Sequence, residues 1–259
     1  VCIDIAGPRT GKTTSWVVPR IYAAPGAVVA TSNKRDIVDV TRGRRGEVTG
    51  QRVWVFDPQG IAGEAQSWWW DPLSYVTNAV QAQALTTVFI DAVRNPNATT
   101  NAFFDDAARD LVAGMLLAAA EEGQLVSLTF MWLNDQTNDE PVMLLKRHGQ
   151  SMMGQTLEGT MNLVAETRSG VYGGAAQIMS FLLNAAAMNW VTPTDGVPQF
   201  QPSEFVRTSE TLYCLSQEGR GSASPVVTAL TVAVTEAAVE YAKTQPGGRL
   251  RVPMLIELD

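Results

Sequence analysis

Five short apolar runs, most rich in β-branched residues, are separated by segments of helical pattern, and this alternation constrains the fold most. The runs are VCIDI (1–5), GAVVATS (26–32), QRVWVFD (51–57), ETLYCLS (210–216) and the closing VPMLIELD (252–259). Their length and composition read as strands buried on both faces. NKRDIVDVTRGRRG (33–46) reads as a helix closed by glycine. SPVVTALTVAVTEAAVEYAKT (224–244) reads as a long helix with Pro225 in its first turn. Such strands lie side by side in a parallel sheet with helices on both faces, so the expected class is α/β. Ligands of these sheets bind beyond the carboxyl ends of the strands.

Between Asn78 and Trp190 the rhythm breaks. Ala, Leu, Met and Gln dominate there, and β-branched runs are few. In FFDDAARDLVAGMLLAAA, Phe104, Ala107, Ala108, Leu111, Met115 and Ala118 recur at steps of three and four, the period of an amphipathic helix. The expected organisation is an α/β domain in two parts, 1–77 and 191–259, carrying an all-helical insert over 78–190. AQSWWWDPLS (65–74) leads into the insert; an extended Trp68-Trp69-Trp70 cannot turn three indoles to one core, so one is expected exposed or between subdomains.

The first run leads directly into AGPRTGKTT, after which SWVVPRIYAA resumes an apolar helical pattern. Strand, glycine-containing loop and helix is the arrangement that cradles phosphate. Gly7 and Gly11 open backbone angles closed to other residues and let amides approach phosphate oxygens; Pro8, Arg9 and Thr10 complete the loop between them. The amides at the start of the next helix, Thr14 included, add positive partial charge. Lys12 would reach the β- and γ-phosphates of ATP, and Thr13 would offer its hydroxyl to Mg2+. The usual loop begins with glycine, whereas Ala6 stands there in this chain. Such a loop needs a metal-ordering acid at the end of a neighbouring strand, and Asp259 closes the last run. The alternative for Asp259 is a core strand that merely ends in a carboxylate. Glu257 should share its face by the two-residue period of a strand, without an assigned role.

Charge and composition narrow the function. Residues 1–56 carry a balance of +5 and residues 57–259 a balance of −12. A chain acidic overall is not a general DNA-coating protein. Lys34, Arg35, Arg42, Arg44 and Arg45 form either a local basic surface or a solvated helix face. His148 is the single histidine, which argues against a His dyad or a His-rich zinc site. Cys2 and Cys214 fall inside expected strands and read as buried thiols of a reducing cytoplasm. No apolar run is expected to reach the ~18–20 residues that span a bilayer, so the piece reads as soluble.

With these blocks in place, the chain resembles the type IV secretion system coupling proteins, the TraG and TraD group of conjugative DNA-transfer P-loop ATPases. The likeness to actinobacterial members is carried by GPRTGKT, VVATSNKRD, VWVFDPQG, WWWDPLS, GVYGGA, TLYCLSQEGRGSASPVVTALT and PGGRLRVP. It implies a RecA-like nucleotide domain, an all-α substrate-facing domain, ATP and Mg2+, and a homo-hexamer. The implied partners are a relaxase–DNA complex, secretion-channel components and single-stranded DNA. It also implies an N-terminal membrane anchor that places the parent at the cytoplasmic membrane. By matching positions Gly7, Gly11, Lys12 and Thr13 hold phosphates and Mg2+, and Asp259 orders the metal. The catalytic glutamate expected just past Asp259 and an arginine supplied across a subunit boundary lie beyond these residues. The 259 residues alone are therefore expected to bind nucleotide weakly or not at all, with negligible hydrolysis.

Two loops at the carboxyl edge carry further candidates. Arg220 in SQEGRGSASP (216–225) either contacts phosphate, in its own or a neighbouring subunit, or is a solvated loop arginine. Asp57 or Gln59 in FDPQG could line the same edge; the alternative is a tight turn shaped by Pro58 and Gly60. Two function classes stay open: a motor that moves DNA, and a nucleotide-gated receptor with little turnover. The acidic balance of 57–259 suits the receptor, since a DNA channel needs cationic lining. A small-molecule kinase is disfavoured, because nothing resembles a phosphoacceptor site or lid.

Overall fold

A computed structural model describes residues 3, 11–93, 101–217 and 222–258. The chain separates into two compact units, one of Val1–Ser67, Phe200–Ser222 and Thr231–Asp259, the other of Trp68–Gln199 and Ala223–Leu230.

The first unit is built on a parallel sheet. Strands β1 (Val28–Ser32), β2 (Val53–Phe56), β3 (Thr211–Leu215) and β4 (Leu255–Leu258) lie in the order β2-β3-β1-β4. Val28 stands opposite both Thr211 and Leu255, and Val53 opposite Thr211, so the amino ends align. All five residues of β3 are buried, as two-face coverage requires. β4 begins three residues later than the apolar run suggested, and Val252 is exposed; Leu255–Glu257 are half-buried. The run at 1–5 lies outside the described residues.

Helix α1 (Val18–Ala23) continues a π turn over Thr13–Val17, and α2 (Asp36–Thr49) follows β1. Val17, Ile21, Ile37 and Val38 pack with Val28, Ala30, Val55, Tyr213 and Leu215 in one core. α2 does not stop at Gly46 as its pattern suggested. It runs to Thr49 and ends on Gly50, which takes the left-handed conformation and donates its N–H to the Gly46 carbonyl at 2.9 Å. Gly43 and Gly46 are interior positions, tolerated at about 1 kcal/mol each because the core face carries the helix.

The described part of the second unit is helical: α3 (Ala79–Val93), α4 (Ala102–Glu121), α5 (Val126–Leu133), α6 (Glu140–Arg147), α7 (Ser151–Met161), α8 (Ala165–Ile178) and α9 (Ala185–Trp190). The short α10 (Pro202–Phe205) belongs to the first unit. α4 is amphipathic only at its start. From Leu111 to Ala119 every residue is buried, because α3, α5, α6, α7 and α8 all pack around it. Small residues make that crowding possible. Trp68 and Trp70 are buried and Trp69 is half-buried, the alternation of an extended segment. The Trp68 ring meets Trp190 edge-on at 5.3 Å, and the Trp70 N–H donates to the Trp190 carbonyl at 2.9 Å.

Helix α11 (Ser224–Lys243) corrects one expectation, since on length and composition it is long and apolar enough to cross a membrane. Its Val226, Leu230, Ala233 and Val234 are instead buried inside the protein.

Candidate functional site

The loop residues that the structure describes are Gly11, Lys12, Thr13 and Thr14; Gly7, Pro8, Arg9, Thr10, Arg220 and Asp259 lie outside the described residues. Gly11 has φ +79°, a backbone angle that a side chain would strain. From there the chain enters the helix. The Ser15 N–H donates to the Gly11 carbonyl at 2.8 Å, and the Thr14 hydroxyl donates to the same oxygen at 3.1 Å. Lys12 and Thr13 are half-buried at this start. The first turn is wide because Pro19 has no N–H to give the Ser15 carbonyl; Val18 reaches back five residues to Thr13 instead.

Arg45 fixes which edge of the sheet this start faces. Its guanidinium, 2% exposed, donates to the carbonyls of Ala24, Gly26 and Ser209 and to the Thr211 hydroxyl. Gly26 precedes β1 and Thr211 opens β3, so the end of α1 at Ala24 is tied to the amino edge. From Ala24 back to Lys12 the helix climbs about 18 Å at ~1.5 Å per residue, while a five-residue strand spans about 16 Å. Lys12 therefore stands at the carboxyl edge. Val17 packing in the cluster that holds Leu215, the last residue of β3, agrees with this direction.

At that edge the loops are stitched together. Asp57, at the end of β2, is buried, and its carboxylate accepts the N–H groups of Ile61 (2.7 Å), Ala62 (2.9 Å) and Glu64 (3.2 Å). The Gly60 N–H also donates to the Asp57 carbonyl at 3.2 Å, which closes the tight turn at Pro58 and Gly60 that the sequence suggested. Gln59 and Gln217 form a reciprocal pair: the Gln217 N–H donates to Gln59 Oε1 at 2.8 Å, and Gln59 Nε2 to the Gln217 carbonyl at 3.3 Å. Gln217 Nε2 also donates to the Asn33 carbonyl at 3.1 Å, so Gln217, through its backbone and its side chain, ties the ends of β1, β2 and β3. Nothing in the sequence pattern marked Gln217.

The basic run resolves differently from a basic surface. Arg35 pairs with Asp39 at 2.7 Å, Arg42 with Glu64, and Arg44 with Glu47 at 4.0 Å, so each of these three arginines has a carboxylate beside it. Arg45 is no surface residue at all: it faces the core one turn after Thr41, and burial pushes its guanidinium below its ordinary value. Tyr213 lies close by, its hydroxyl 2.6 Å from that of Thr41. Burial raises the Tyr213 phenol to about 12, and the Thr41 bond and the Arg45 charge only partly oppose this. Cys214 beside it is fully buried and pushed up to about 12 by burial; Cys2 lies outside the described residues.

The arrangement suits a phosphate chain. A positive-φ glycine, a lysine and helix amides gather at one helix start, where the dipole of α1 and its preceding turn adds positive potential. Among the described residues no three His, Cys, Asp or Glu gather into a metal site. A threonine hydroxyl such as that of Thr13 is an oxygen donor of the type that suits Mg2+.

Comparison with curated proteins gives no match for the chain. A family model does match: the family described as type IV secretory system conjugative DNA transfer covers residues 2–215, from the phosphate loop through β3. With that span, well over half the chain, the protein belongs to the family of type IV secretory system conjugative DNA transfer proteins.

Proposed function

We propose that the chain is the nucleotide-binding core of a coupling protein that binds MgATP at Gly11–Thr14 and hydrolyses it to drive a relaxase–DNA substrate toward a secretion channel. The observation that carries this reading is the direction of α1, whose start at Lys12 stands at the carboxyl edge of an all-parallel sheet. On this reading the sheet unit is a RecA-like domain and the helical unit is the all-α, substrate-facing domain inserted in it. Gly7 to Thr14 hold the phosphates, Lys12 neutralises the β- and γ-oxygens, and Thr13 with Asp259 holds Mg2+. The bound Mg2+ supplies charge neutralisation of the triphosphate. Arg220, three residues after Gln217 and between Gly219 and Gly221, reaches phosphate in its own or a neighbouring subunit of a homo-hexamer anchored at the membrane.

A hydrolysis assay on the full-length protein tests this. Lys12→Ala is expected to abolish turnover, and retained wild-type hydrolysis in that variant shows that this loop is not the catalytic one. A second reading has one observation in its favour. The −12 balance of residues 57–259 suits a surface that docks protein rather than a channel lined for DNA. A nucleotide-gated receptor would bind MgATP with the same Lys12 dependence and turn it over little.

A further inference from the structure

Glu257 is the one acid on β4 ahead of Asp259, and the structure gives it a partner. Its Oε1 lies 3.5 Å from Arg20 Nη1 on α1, with the two side chains 14% and 27% exposed. The other side of the Arg20 guanidinium lies over the Trp16 indole, 5.2 Å from the ring centroid. Trp16 precedes Arg20 by four residues and follows Lys12 by four, so one face of the helix carries the lysine, the indole and the arginine in succession. Register places Glu257 opposite Ala30 and Leu258 opposite Thr31, at the carboxyl half of β1. The pair is therefore a cross-tie between the helix that follows the phosphate loop and the strand that leads to Asp259. Partial burial makes it worth more than a surface pair, and the stacked indole restricts the arginine to one orientation.

We propose that Arg20 and Glu257 are positioning residues that hold β4 in register with the phosphate-loop helix, so that the metal-ordering carboxylate and Lys12 keep a fixed separation. Trp16 is the platform that keeps Arg20 aimed at the strand. This rests on the MgATP reading above. Neither residue touches nucleotide; each acts through the element that it ties. Loosening the tie therefore weakens the use of Mg2+, which depends on both elements, and spares ATP binding to the loop, which depends on one.

The test is ATP hydrolysis by the full-length protein as a function of free Mg2+ and of ATP, with thermal melting to confirm folding. Arg20→Glu and Glu257→Arg are each expected to raise the Mg2+ concentration for half-maximal rate about tenfold, with KM for ATP within twofold of wild type. The double reversal Arg20→Glu/Glu257→Arg is expected to recover most of that loss; in equilibrium binding of a fluorescent ATP analogue the single variants should show the same shift in Mg2+ dependence with unchanged affinity for the Mg2+-free nucleotide, a split that a merely structural role for either residue would not produce. The proposal is overturned if the single variants match wild type, or if the loss is confined to Glu257 variants. Failure of the double reversal to recover, or a parallel loss of Mg2+ and ATP affinity, overturns it as well. If the wild-type protein shows no hydrolysis that depends on Lys12, the nucleotide reading itself has failed and this inference falls with it.

Discussion

Replacing Arg45 by methionine should destabilise the sheet unit markedly. The guanidinium is 2% exposed and its three nitrogens reach four acceptors: Ala24, Gly26 and Ser209 carbonyls and the Thr211 hydroxyl. Methionine fills a similar volume but leaves three carbonyls and a hydroxyl without that donor. A buried polar group left unpaired costs about 1–3 kcal/mol. Three or four such groups, partly relieved by water reaching the sheet edge, total about 4 kcal/mol. Removing a buried charge that lacks a carboxylate partner among the described residues returns about a quarter of that, leaving a net loss of about 3 kcal/mol. Urea unfolding followed by tryptophan fluorescence measures it. At an m-value of about 3 kcal/mol/M the midpoint falls by about 1 M. Arg45→Lys keeps the charge but places its donors at a single point, so it should recover no more than half the loss. A methionine variant within 0.5 kcal/mol of wild type would refute the reasoning. A lysine variant as stable as wild type would show that charge, not the planar fork, ties the edge.

Other expectations follow from the same packing. Burial raises the Tyr213 phenol from 10.0 to about 12, so its neutral form is the one the fold favours. That contribution is complete below pH 10 and is lost as pH rises toward 12, a fall of up to about 3 kcal/mol. Urea midpoints from pH 8 to 11 should therefore drop more steeply in the wild type than in Tyr213→Phe, which should itself cost about 1 kcal/mol at neutral pH through the lost Thr41 bond; equal slopes would remove the phenol from the account. At Gly26 a Cβ would stand 2.6 Å from the Pro253 carbonyl oxygen, where the chain enters β4. Gly26→Ala should thus destabilise by about 2–3 kcal/mol, read by the same titration, and a neutral result would mean that β4 can shift without loss.

How far the sequence discloses this molecule depends on how local the cause is. The three described strands before β4, and the long helix α11, follow from β-branched runs and helical period, which are local properties. Gly11, Lys12 and Thr13 could be singled out for the same reason, since the proposed phosphate loop is a matter of spacing within one turn. Arg45 was not legible. In RGRRG its neighbours Arg42 and Arg44 are exposed, and only the angular position around α2 turns the third arginine inward to carbonyls that lie 19 to 166 residues away in sequence. The Gln59–Gln217 clasp is hidden similarly, by 158 residues of separation. Arg20 could have been found: it sits two helical steps of four past Lys12, and Glu257 was already marked on the facing strand. α4 looked amphipathic because its first turns are, and nothing local says that five helices will surround the remainder.

The account depends on one geometric claim, that the phosphate loop and the end of the last strand serve a single Mg2+-bound triphosphate. A crystal structure of the full-length protein grown with Mg2+ and a non-hydrolysable ATP analogue measures it directly. The predicted result is a triphosphate whose β- and γ-oxygens meet the Lys12 ammonium, with the Asp259 carboxylate within one water layer of the same metal ion. Analogue bound elsewhere, or Lys12 and Asp259 found at opposite edges of the sheet, would contradict it.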